Sequence, residues 1–228
     1  MKKILIIAGH GEGDPGAVSL WGQEAELTRE LSKMIYKEID ERYLKKELYD
    51  MEKDCYQQTK KGSGPDYKTY NFILEIHFNA KMQKDETGDG LFTGVGGYVH
   101  ENADECIAED IINKVVSLGF KKWCLCRTKE LCNCNAAWNA KTPYFLMETA
   151  FLDDGDDMKF YNNHKSQIAA AVAAVLNEKL GGKMNQNAHQ TGNTIYRVQC
   201  GAFKDRANAE VLKNQLEKPG FEAIIQQI

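Results

Sequence analysis

At 228 residues and 25.8 kDa the chain is long for one compact domain and short for two full ones, which points to a domain with an appendage. Hydrophobic residues at 43% and charged residues at 27% exclude a disordered, collagenous or repeat-dominated chain. A formal charge of −4 provides no global positive field for nucleic acid, and no stretch approaches the ~20 apolar residues of a membrane helix.

Met1-Lys2-Lys3 followed by Ile4 to Ala8 has the charge of an export signal, but the apolar run stops at Gly9-His10-Gly11, too short for a secretory h-region. The resulting expectation is accumulation in the cytoplasm without a signal peptide. Reduced thiols, rather than a disulfide framework, are then expected for the seven cysteines.

Along the chain, Ile4 to Ala8 reads as a buried strand. A helix follows Trp21-Gly22, with Leu27, Leu31, Ile35 and Ile39 recurring every four positions. Phe72 to Phe78 reads as a second core strand, Gly97 to His100 as a short one, and Ala103 to Leu118 as a helix stopped by Gly119. Tyr144 to Phe151 is a late strand, and Ile168 to Leu180 a helix ended by Gly181-Gly182. This alternation predicts an α/β fold: a mostly parallel twisted sheet with helices on both faces, plus a short C-terminal βαβ segment. The predicted division is a catalytic domain over 1–182, a polar linker over 183–193 and a small segment over 194–228. In that segment Thr194 to Gln199 and Phe221 to Ile228 read as strands and Ala207 to Leu216 as a helix.

Chemistry concentrates at predicted strand ends, where open α/β sheets place their ligands. Gly9-His10-Gly11-Glu12-Gly13-Asp14-Pro15-Gly16-Ala17 follows the first strand. A phosphate cradle is the weaker reading of this loop: it has neither G-x-G-x-x-G nor Gly-Lys-Ser/Thr, and Glu12 and Asp14 repel anions. His77 ends the second strand and Glu148 lies near the end of the late one, while Glu24 opens the first helix. If the strands are parallel these groups meet at one pole, and two imidazoles with a carboxylate suit an open zinc site. Glu26 competes with Glu24, but Glu24 continues the Leu27, Leu31 and Ile35 face and Glu26 does not. A carboxylate in the otherwise apolar segment 144–152 requires a partner, which favours a functional Glu148. His100, His164 and His189 have no such company and keep a structural reading.

The motifs Ala8-Gly9-His10-Gly11, Asp14-Pro15-Gly16-Ala17, Glu24, Leu74-Glu75-Ile76-His77-Phe78-Asn79-Ala80 and Met147-Glu148-Thr149-Ala150-Phe151-Leu152 together resemble the zinc-dependent N-acetylmuramoyl-L-alanine amidases, over roughly the first 180 residues. The resemblance implies His10, Glu24 and His77 as ligands of Zn2+, Glu148 as catalytic acid/base, and Asn79 and Arg127 as substrate contacts. It also implies peptidoglycan as substrate, cut between the lactyl carbonyl of muramic acid and L-alanine. The setting expected is a phage or prophage endolysin waiting in the cytoplasm. Other readings are a zinc peptidase acting within the stem peptide, and a non-catalytic wall-binding protein.

Cys124-x-Cys126 and Cys132-x-Cys134 are read as alternating pairs on strands, whose spacing lacks the turn that closes a tetrahedral zinc knuckle. Free thiols are the expectation there. Finally, Tyr196 to Glu210, containing Val198-Gln199-Cys200-Gly201-Ala202-Phe203, resembles the opening of a SPOR domain, a peptidoglycan-binding module, and stops after about half of one. A lone βαβ exposes a sheet edge, so the segment is expected to dimerise with a second chain, to dock on the catalytic domain, or to be vestigial.

Overall fold

The computed structural model describes residues 1–81, 85–181, 201–217 and 224–225. It divides into two compact units, Met1–Met184 and Asn185–Ile228.

The first unit is built on six strands. β1 (Lys3–Ala8), β4 (Lys45–Leu48), β5 (Phe72–Asn79), β6 (Val95–His100), β7 (Lys122–Thr128) and β8 (Tyr144–Phe151) lie in the order β4-β1-β5-β8-β6-β7. β4, β1, β5 and β8 are parallel neighbours, while β6 pairs antiparallel with β8 and parallel with β7. The sheet is therefore mixed: the last two strands point the other way. A short hairpin of β2 (Val18–Ser19) and β3 (Gly22–Gln23) precedes the first helix.

The core strands are apolar on both faces, as a sheet covered on both sides demands. On one face Ile4, Ile6, Leu74, Ile76, Phe145 and Met147 pack under α1 (Glu24–Glu38), α3 (Cys106–Val116) and α5 (Gly155–Leu180). On the other, Leu5, Ile7, Ile73, Tyr144 and Leu146 lie under the shorter α2 (Cys55–Lys60) and α4 (Cys132–Asn139). α5 starts thirteen residues before the expected helix, because the Asp154 side chain accepts from the backbone N–H groups of Asp156 and Asp157 and caps it. Cys132 and Cys134 lie in the first turn of α4 and not on a strand.

A second correction concerns Cys124 and Cys126, which are joined by a disulfide with Cα atoms 5.8 Å apart. Register explains the closeness. Val95 pairs with Lys122 and Gly97 with Leu125, so Trp123 and Cys124 together oppose Gly96. This bulge kinks β7 and brings the next two same-face thiols into bonding range. Cys55, Cys106, Cys132 and Cys134 are free.

In the second unit α6 (Arg206–Glu217) matches the predicted helix, with Asp205 accepting from the Ala207 N–H and Arg206 paired to Glu210. The linker 183–193 and the strand at 194–199 fall outside the described residues, and so does most of 221–228. Ile224 and Ile225 are exposed and in no regular element. The expected dimer contact lies largely on those residues. Among the described residues no helix is long and apolar enough to cross a membrane.

Candidate metal and catalytic site

The parallel run of β1, β5 and β8 brings their carboxyl ends to one pole, and there five of the six predicted site residues lie. His10 follows β1 in the left-handed region, φ 62°, which turns its ring back over the sheet. Glu24 opens α1 on its buried side and is 4% exposed, whereas Glu26 is exposed. Glu24 therefore lies on the buried helix face that the register predicts, and Glu26 does not. His77 on β5 pairs directly with Glu148 on β8.

His10 Nε2 lies 2.9 Å from Glu24 Oε2, and His77 Nδ1 lies 3.0 Å from Glu24 Oε1. Both Glu24 oxygens also accept backbone hydrogen bonds, from Ala17 N–H and Phe78 N–H, each at 3.0 Å. Burial alone would raise the Glu24 carboxyl, but the hydrogen bonds from His10 and His77 reverse this and hold it well below the usual carboxylate range. Burial likewise works against a charged His77, and the hydrogen bonds to Glu24 and Glu75 overcome it and raise the imidazole well above its ordinary value. The rings of His10 and His77 meet edge to face, centroids 5.0 Å apart.

Two glycines make this packing possible. A Cβ on Gly9 would overlap the His77 ring, and one on Gly16, φ 65°, would meet His10 and Glu24 at 2.7 Å. The glycine-rich loop thus serves close approach of side chains and not phosphate cradling.

The donors fit a zinc ion on their own chemistry. One atom each from His10, Glu24 and His77 lies within 4.8 Å of the others, two imidazole nitrogens and a carboxylate oxygen being the set of an open tetrahedral site. The outward ring nitrogens are already engaged: His10 Nδ1 with Asp14 at 2.9 Å and His77 Nε2 with Glu75 at 3.0 Å. Glu148 stands apart. Its Oε2 is buried without a hydrogen-bond partner among the described residues. Burial pushes its carboxyl up to about 7, with Glu24 and Glu75 adding to the rise and His77 and His10 opposing it. A carboxyl poised near neutrality beside two imidazoles is suited to proton transfer.

Asn79 ends β5 at the same pole, its side-chain oxygen accepting from the Ala80 N–H. Arg127 is not brought there. It lies on the reversed edge strand β7, where its guanidinium binds the carbonyls of Glu101 and Ala103 and the Glu105 carboxylate. The strand reversal, invisible in the sequence, accounts for this. Sequence reasoning also passed over Asp14 and Glu75. A cleft of about 300 Å³ runs beside the histidines and is lined by Asp54, Tyr56, Glu130 and Cys132 among others.

An α/β sheet carrying a His/Glu/His cluster that could hold a metal, with the half-buried Glu148 carboxyl beside it at the strand ends, is the arrangement of a hydrolase scaffold. Residues 4–178 match the N-acetylmuramoyl-L-alanine amidase family model, and the chain belongs to that family. Residues 167–227 match the SPOR domain model, whose first part falls on the buried end of α5. The chain is 28% identical to the N-acetylmuramoyl-L-alanine amidase CwlM of Bacillus licheniformis over 99% of this chain and 85% of that protein. It is 26% identical to the sporulation-specific N-acetylmuramoyl-L-alanine amidase of Bacillus subtilis (strain 168), over 99% and 84%. Among solved structures, the catalytic domain of the CD27L endolysin targeting Clostridia difficile has the same fold, with a TM-score of 0.63, 20% identity, and coverage of 78% of this chain and 98% of that one.

Proposed function

We propose that the protein is a zinc-dependent N-acetylmuramoyl-L-alanine amidase that cuts the bond between muramic acid and L-alanine in peptidoglycan. The observation that carries the reading is the convergence of His10, Glu24 and His77 beside Glu148, whose buried Oε2 has no hydrogen-bond partner among the described residues. His10, Glu24 and His77 hold the metal. When bound there, Zn2+ acts as a Lewis acid that acidifies water and polarises a carbonyl. Glu148 takes a proton from the attacking water as its oxygen bonds to the lactyl carbonyl carbon. It then delivers that proton to the alanine nitrogen as the C–N bond breaks. Asn79 at the rim contacts substrate, and the SPOR segment holds the enzyme on the wall.

Digestion of purified peptidoglycan tests this: new N-terminal alanine and free muramic lactyl groups are expected. New reducing sugar ends, or amines freed only from within the stem peptide, would refute it. Chelation should abolish the activity and Zn2+ restore it.

For the biological setting we propose lysis of the endolysin kind. The rival, wall remodelling by a sporulating host, is favoured by one observation, the sporulation-specific name of the Bacillus subtilis relative. Expression in a host whose membrane is then permeabilised separates them: rapid clearing of the culture supports lysis, and intact cells with altered spore cortex support remodelling.

A further inference from the structure

Glu75 occupies an unusual position. It points from the middle of an otherwise apolar strand, Phe72-Ile73-Leu74-Glu75-Ile76, and is only 5% exposed. An isolated carboxylate in such a place costs several kcal/mol, yet each oxygen has a designated partner. Oε1 faces His77 Nε2 at 3.0 Å. Oε2 accepts from Tyr144 OH at 2.7 Å and from Asn133 Nδ2 at 2.9 Å. Asn133 is itself fixed, its Oδ1 accepting from Tyr67 OH at 3.1 Å, and the Tyr67 hydroxyl sits 2.9 Å from Thr59 Oγ1.

The chain of contacts has a direction. Tyr144 and Asn133 can only donate to Oε2 in this arrangement, which leaves Oε1 as the free acceptor aimed at the imidazole. Residues 75 and 77 share a strand face by the two-residue period, so the alignment is built into the backbone. With the proton on Nε2, the lone pair of His77 is on Nδ1, the nitrogen that faces Glu24.

We infer that Glu75 is a positioning residue, which with Tyr144 and Asn133 fixes the His77 tautomer so that Nδ1 is the nitrogen offered to the metal. The inference rests on the proposed metal site and goes beyond it. It assigns a function to a residue that touches neither the metal position nor the reacting bond. It also ties that function to β8 through Tyr144 and to α4 through Asn133.

Zn2+ affinity, measured on the full chain by competition with a chromophoric chelator, tests the inference without substrate. Glu75→Gln should weaken binding by about 10–100-fold and shift the visible bands of the Co2+-loaded protein, with the melting temperature of the chelated protein little changed. Equal affinity and an unchanged Co2+ spectrum in Glu75→Gln would overturn it. The zinc-loaded wild-type protein supplies a second measurement that needs no variant. The ¹⁵N shifts of His77 should show the proton on Nε2 and the metal on Nδ1, and the reverse assignment would overturn the inference. The two readings fail separately. A wild-type protein that binds zinc through His77 Nδ1 but frees no alanine from peptidoglycan refutes the amidase reading alone. One that frees alanine while Glu75→Gln binds zinc normally refutes the role of Glu75 alone.

Discussion

His77 and Glu148 are register partners on adjacent parallel strands. Their side chains therefore leave the same face of the sheet side by side, one belonging to the His/Glu/His cluster and the other outside it. The spacing between the His77 ring and the Glu148 carboxyl is set by backbone hydrogen bonding between β5 and β8, and not by a loop. Rigid elements hold such a geometry more tightly than loops do.

Replacement of Glu148 by Gln should lower peptidoglycan cleavage by about 10²–10⁴-fold, the usual range for a general acid/base. Its Oε2 has no hydrogen-bond partner among the described residues, so the neutral amide should leave the metal-free protein as stable as before or more so. Turbidity assays on wall fragments and thermal melts check the two halves. Retained activity would remove Glu148 from the mechanism.

At Gly9 a methyl group would overlap the His77 ring. Gly9→Ala should therefore cost Zn2+ affinity out of proportion to its effect on melting temperature. Gly13, at φ 79° with open space around it, is the control: Gly13→Ala adds about 1–2 kcal/mol of backbone strain without moving a ligand. Chelator competition on both variants reads the contrast, and equal losses would contradict it.

Asp157 is fully buried in the first turn of α5 and accepts from the N–H groups of Thr93, Gly94 and Phe151. Burial pushes its carboxyl from 3.8 up to about 6, against those hydrogen bonds and helped by Asp154. The folded state thus binds the proton more tightly than the unfolded chain, and the associated stability is present below about pH 4 and lost as pH rises to about 6. Asp157→Asn does not titrate, so its urea midpoint relative to wild type should climb over that interval, by up to about 3 kcal/mol in stability. A difference independent of pH would refute the shift.

The Cys124–Cys126 bond closes a loop only two residues in separation. The chain entropy it removes from the unfolded state is correspondingly small, and the double change to Ser should cost under about 2 kcal/mol. Cys55 and Cys134 are buried, and burial pushes both thiols up to about 12, so they should resist labelling until the protein unfolds. Urea titration and timed thiol labelling check these statements.

Long apolar runs made β1, β5 and β8 legible, and the four-residue recurrence made α1 legible, because burial on both sheet faces or on one helix face leaves a pattern in the chain. Elements with weak burial left none. β4, Lys45–Leu48, is half exposed at the sheet edge, and the first half of α5 is polar, its start marked only by the Asp154 cap. α4 was concealed by its cysteines, whose alternation imitates a strand. The clustering of His10, Glu24 and His77 was readable because each stands at a strand end or helix start. Glu75 was equally readable in principle: the argument that a carboxylate in an apolar strand needs a partner applies to it as well as to Glu148. Arg127 was misplaced for a different reason, since strand direction depends on how a chain crosses a sheet, and local sequence does not encode it.

The strand order carries a kinetic consequence. Among the described residues β8 is the last strand, yet it lies inside the sheet, between β5 and β6. Until residues 144–151 emerge during synthesis, β6 and β7 have no edge to join, and Glu148 is absent. Contacts between such distant segments form late and slowly. A nascent chain or a fragment cut before β8 therefore holds His10, Glu24 and His77 but not the strand that carries Glu148, and the four residues come together only when most of the first unit has been made.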